Sequence, residues 1–193
     1  LTNVPKYHED VTVWEVFDAN NKTLGLLYMD MHPRASKRGG AWMTSYREQQ
    51  MENGKRKLPI ISIVCNFTKP TASTPSLLTF DETTTFFHEF GHALHGLLSN
   101  VNYKGLAGTN VPRDFVELPS QVMENWAAEP EVLKLYAKHY KTGEVIPDAL
   151  IEKMKKAGTF DQGFATTEYL AASFLDMQYH TATSEIKDDL NTF

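Results

Sequence analysis

Residues 79–98 read TFDETTTFFHEFGHALHGLL and place three of the chain's seven histidines within eight positions. Thr79 and Glu82 stand in the T-x-x-E spacing of a capping box, and Asp81 adds negative charge where a helix N-terminus favours it. A helix is therefore predicted to begin here, with Phe86, Phe87, Phe90, Ala93, Leu94 and Leu97 forming a broad apolar side. In such a helix His88 and His92 project about 40° apart and roughly 6 Å along the axis, so both imidazoles can reach one metal ion. Glu89 projects about 100° from His88, which makes it a poor ligand to the same ion but leaves its carboxylate free to act on a nearby water. That is the division of labour in H-E-x-x-H, where two histidines hold zinc and the glutamate is the general base. A satisfied core histidine is the competing reading for any one imidazole on an amphipathic helix. The pair with the intervening glutamate weighs against it.

A catalytic zinc takes a third protein ligand and keeps a fourth position open. The metzincin pattern would require a histidine at position 98, which is Leu98, and a glycine at position 95, which is His95, so that pattern is excluded. The thermolysin-like pattern takes its third ligand from a later helix, and RDFVELPSQVMENW (residues 113–126) supplies Glu117 near a predicted helix start marked by Pro119. His95 is left open between a group lining the cleft and a hydrogen-bonded core histidine. Glu124, on the face of Glu117, is left open between a partner for a ligand and an ordinary surface carboxylate.

Around this centre the chain is ordinary in bulk. With 193 residues, 41% of them hydrophobic, it can bury one core, and a net charge of −5 without charge blocks argues against a nucleic-acid partner. No apolar run approaches the ~20 residues that a membrane span needs. The single cysteine, Cys65, lies in the strand-like run PIISIVCNFT and cannot form an internal disulfide, which suits a cytoplasmic setting. The chain opens on Leu1 rather than methionine, so it is read as a piece of a longer protein.

Residues 11–30 hold two β-rich runs around DANNK and are predicted to form a hairpin. Residues 31–58 are expected to be irregular, with a short helix near MTSYREQQMENG (residues 43–54). Their seven cationic side chains read as solvated loops, with a substrate-facing rim as the alternative. Helices are expected over about 80–99, 116–140 with a break near Pro130, 147–156 and 160–187. The predicted fold class is α+β, mainly α, with a β-rich part over 1–75 and a helical part over 76–193 belonging to one catalytic region.

The strings GLLYMDMHPRASKRGGAW (25–42), PIISIVCNFTKP (59–70), LLTFDETTTFFHEFGHALHGLLS (77–99), GTNVPRDFVELPSQVMENWA (108–127) and FLDMQYH (174–180) together resemble the thimet oligopeptidase family of zinc metallopeptidases, closest to its bacterial peptidyl-dipeptidase branch. The resemblance implies a zincin-like catalytic piece in which His88, His92 and Glu117 ligate one zinc ion and Glu89 is the base. It implies short peptides as substrates, and a loop at GLAGTN (105–110) near bound substrate, a plain connection being the alternative. Family members continue into a glycine- and tyrosine-rich loop whose His and Tyr side chains stabilise the tetrahedral intermediate, and they begin with a large helical portion. Neither matches anything in these 193 residues. Tyr103, Tyr169 and Tyr179 are read as core aromatics rather than replacements. Dipeptide release from peptide C-termini is the expected activity of the longer enzyme. The alternatives are internal cleavage and, from another class, a metal-stabilised structural or interaction domain, against which the shortage of cysteines argues.

Overall fold

A computed structural model describes residue 1 and residues 3–185. Strands β1 (Thr12–Phe17) and β2 (Thr23–Asp30) form the expected antiparallel hairpin. Its turn is built by Asp18, whose carboxylate accepts from the Asn20 and Lys22 amides, and by Asn21 at φ 58°.

The short helix expected near residues 43–54 is absent; β3 (Trp42–Arg47), β4 (Gln50–Glu52) and β5 (Lys55–Lys57) stand in its place. Two causes outweigh local helix propensity. Asn53 and Gly54 both take positive φ and join β4 to β5 as a two-residue hairpin turn. β3 in turn pairs with β6 (Ile60–Val64), a contact distant in sequence that satisfies the backbone of a buried strand. The sheet order is β1-β2-β6-β3, with β2 and β6 parallel and the other pairs antiparallel, so β3 is an edge.

One sheet face is covered by α1 (Phe80–Leu97), and the core between them is Leu27, Ile61, Ile63, Cys65, Phe67, Ala93 and Leu97. Each large apolar side chain buried there contributes roughly 1.5–3 kcal/mol. A Cβ on Gly96 would lie 2.7 Å from Ile61 Cδ1, so this glycine lets helix and sheet meet. After α1 come α2 (Leu118–Ala128) and α3 (Pro130–Tyr136), broken at extended Glu129 ahead of Pro130. The second helix was expected to reach residue 140; it stops at Tyr136, and the chain turns back through Gly143 to bridge Lys138 with Val145.

The cationic segment is largely structural, which its composition did not reveal. Asp30 is buried and receives Arg34 through two hydrogen bonds of 2.8 and 2.9 Å, Lys37 at 2.9 Å and Tyr7 at 2.9 Å. Lys37, whose side chain is 3% exposed, also donates to the His32 and Cys65 carbonyls, and Arg56 donates to the Leu97 and Ser99 carbonyls at the end of α1. Burial alone would raise the Asp30 pKa, but the hydrogen bonds from Arg34, Lys37 and Tyr7 outweigh it and hold it at about 2, against 3.8 when unperturbed. Because the folded pKa is the lower one, this ionisation stabilises the fold fully above pH 3.8 and loses its contribution, about 2 kcal/mol, as pH falls through 2. Asp30→Asn is expected to remove about 3 kcal/mol or more at neutral pH, because Lys37 is left buried without its counter-charge. Thermal melts from pH 2 to pH 7 check both statements; a variant as stable as the parent at pH 7 contradicts them.

The chain falls into two compact units, the second starting at Ile146. In that second unit α4 (Asp148–Ala157) precedes α5 (Gln162–Thr181), and α5 has no buried residue. Residues 186 and 187 of the expected last helix lie outside the described residues. Tyr103, Tyr169 and Tyr179 are exposed rather than core residues; for the latter two, a pair of helices is too small a body to enclose them. Among the described residues no helix is long and apolar enough to cross a membrane.

Candidate metal centre

The capping box sets the phase of α1. Thr79 Oγ1 accepts from the Glu82 amide at 3.1 Å, and the Glu82 carboxylate accepts from the Thr79 amide at 2.8 Å. Beyond the cap, His88 and His92 stand on one helix face with ring centroids 4.9 Å apart.

Glu117 reaches them from the residue preceding α2. Its Oε2 lies 3.2 Å from His88 Nε2 and 3.1 Å from His92 Nε2, and one donor atom from each of the three residues falls within 4.8 Å of the others. The close approach of α1 and α2 depends on Gly91. A Cβ there would lie 2.6 Å from both the Pro119 carbonyl oxygen and Ser120 Cα, backbone atoms that cannot move aside alone. The glycine inside H-E-F-G-H therefore brings the start of α2, and Glu117 with it, under the two imidazoles.

The three residues could hold a metal ion, and the surroundings of each bear on that. Glu124 Oε1 sits 2.6 Å from His88 Nδ1, which leaves His88 Nε2 facing Glu117. Burial lowers the pKa of His92 and so favours the neutral imidazole. A hydrogen bond from Ser120 leads the effects that hold Glu117 below the usual carboxylate range. Neutral imidazole and ionised carboxylate are the forms a metal needs, so two nitrogens and one oxygen fit a divalent ion with a position to spare. Glu89 is not one of the three donors. It is 6% exposed, and burial raises its pKa, with the charge of His88 opposing and that of Glu117 reinforcing the shift.

A cleft of about 350 Å³ joins these groups, lined by Trp42 and Met43 of β3, by His88, Glu89 and His92, and by Glu117. The part of β3 in this cleft is not legible in the sequence, because the strand itself depends on pairing with the distant β6. Thr109 also lines the cleft, so the GLAGTN segment borders it. Gly108, at φ 53°, places its amide 2.7 Å from Ser99 Oγ and fits against Gly96, where a Cβ would come within 3.1 Å. This pins the loop to the end of α1.

The profile of peptidase family M3 matches residues 2–192. The chain belongs to peptidase family M3. It is 47% identical over 192 residues to the dipeptidyl carboxypeptidase of Escherichia coli strain K12, covering 99% of this chain and 28% of that protein. Against oligopeptidase A of the same strain the identity is 41% over 180 residues, covering 92% and 26% respectively. Against the thimet-like oligopeptidase of Dictyostelium discoideum it is 38% over 192 residues, covering 94% and 28%. The chain thus spans little more than a quarter of the length of these M3 relatives.

His95 stands apart from the M3 chain's donor group. It lines a larger groove of about 480 Å³ with Leu94, Leu98, Val122 and Met123, and its Nδ1 has no hydrogen-bond partner among the described residues. The greater volume does not make this groove the chemical site, because it is almost wholly apolar and holds none of the three donors. The other open residue, Glu124, does have a specific partner. Glu124→Ala is expected to weaken metal binding about 10- to 100-fold by releasing the His88 ring. Competition with a chelator checks this, and unchanged affinity contradicts it.

Proposed function

We propose that these residues are the catalytic region of a longer zinc peptidase acting on short peptides. One observation carries the reading: His88 Nε2 and His92 Nε2 converge on Glu117 Oε2, in one cleft with the buried Glu89 carboxylate. His88, His92 and Glu117 would hold the ion. Two imidazoles and a carboxylate suit zinc, which when bound supplies Lewis-acid polarisation of a carbonyl and of water.

The rest of the chemistry belongs to the chain. Glu89 takes the proton of the attacking water and returns it to the leaving nitrogen as the peptide bond breaks. Its buried setting raises its proton affinity toward that of the group it must serve. β3 is an edge strand with Trp42 and Met43 in the cleft, so an extended peptide can lie along it and pair backbone to backbone. The other edge, β1, stands at the far end of the sheet order. Such pairing holds a peptide with little demand on its side chains.

Release of C-terminal dipeptides is the favoured specificity, supported by higher identity to the dipeptidyl carboxypeptidase than to oligopeptidase A. The groups that stabilise the tetrahedral intermediate belong to parts of the polypeptide beyond these residues. The exposed apolar side chains of α5, among them Phe164, Phe174 and Met177, support a larger body around this region. A cytoplasmic setting is part of the same reading. Mass analysis of products from a short peptide incubated with the full-length protein tests the specificity. Successive loss of dipeptides is expected; internal cleavage of a peptide with a blocked C-terminus contradicts it.

A further inference from the structure

Of the three donors, Glu117 has the most exposed side chain. His88 is fixed through Nδ1 by Glu124, and the His92 side chain is only 10% exposed. The Glu117 side chain is 50% exposed, on a flexible stem whose ordering costs side-chain entropy. An untethered glutamate there would spend much of its time in solvent.

Ser120, in the first turn of α2, is completely buried, and its Oγ lies 2.7 Å from Glu117 Oε2 and 2.9 Å from the Glu117 carbonyl oxygen. A hydroxyl has one proton to give. The Glu117 carbonyl also accepts from the Gln121 amide at 2.9 Å, and the carboxylate is both the nearer and the stronger acceptor, so the Ser120 proton goes to the carboxylate. Oε2 is also the oxygen within 3.2 Å of both imidazoles, so the serine grips the atom that faces them. Ser120 Cα is in turn the backbone atom against which Gly91 packs, between Glu89 and His92. The tether is thereby keyed to the helix that carries the other two donors.

We propose that Ser120 is a positioning residue that locks the Glu117 carboxylate onto the His88–His92 pair, preorganising the site for its ion. The proposal rests on Glu117 being a ligand. Its test is a double-mutant cycle on the full-length protein, read as zinc affinity by chelator competition rather than as activity. Ser120→Ala removes only an oxygen and keeps the packing against Gly91. It is expected to weaken zinc binding about 10- to 100-fold in the parent and to have no further effect in a Glu117→Ala background. The cobalt-substituted protein should show a changed absorption spectrum in Ser120→Ala, because the carboxylate is no longer held. If Glu117→Ala weakens binding and Ser120→Ala does not, the positioning role is wrong and the ligand assignment stands. An equal effect of Ser120→Ala in both backgrounds also overturns it, because a packing role does not act through Glu117. If Glu117→Ala leaves affinity unchanged, the ligand assignment fails and the positioning role with it.

Discussion

Glu89→Gln in the full-length protein is expected to lower peptide hydrolysis by about two to four orders of magnitude, the usual contribution of a positioned general base. The substitution is nearly isosteric and keeps the packing of a side chain that is 6% exposed, so the fold is retained. Metal binding is also expected to be retained, since the three donor atoms belong to His88, His92 and Glu117. The loss should fall on kcat more than on KM, because proton transfer belongs to the transition state and substrate binding does not depend on it. Steady-state kinetics alongside metal analysis check this. Full activity with metal bound would move the base to another residue.

Gly91→Ala is expected to have the next largest effect, although Gly91 is neither a ligand nor an acid or base. The added Cβ would sit 2.6 Å from the Pro119 carbonyl oxygen and from Ser120 Cα, so α1 and α2 must separate to admit it. Overpacking of this kind costs about 1–3 kcal/mol, and backbone atoms on the receiving side place it at the upper end. The separation also carries Glu117 away from His88 and His92. A displacement on the order of 1 Å in such a site costs about 100-fold in rate. Activity and metal affinity should therefore fall together with the melting temperature. A stable variant with parental metal affinity would contradict the contact on which the geometry depends.

Features that depend on near neighbours in sequence were readable from it. The start of α1 follows from Thr79 and Glu82, and the shared face of His88 and His92 follows from helical periodicity. The β1-β2 hairpin follows from DANNK between two apolar runs. What was not readable depends on partners distant in the chain. β3 owes its conformation to β6, Lys37 its burial to Asp30 and Cys65, and Glu124 its significance to His88, 36 residues away. Asn53-Gly54 is a local signal for β4 and β5, masked by the helix-forming residues around it. Gly91 could be read as a gap in the helix pattern, but what fills the gap emerges only when α2 is in place.

The most direct test is diffraction from crystals of the full-length protein at energies on either side of the zinc absorption edge. One anomalous peak that appears only above the edge is expected, about 2.0–2.2 Å from His88 Nε2, His92 Nε2 and a Glu117 carboxylate oxygen, with no fourth protein ligand. A peak elsewhere, or an ion closed off by four protein ligands, contradicts it.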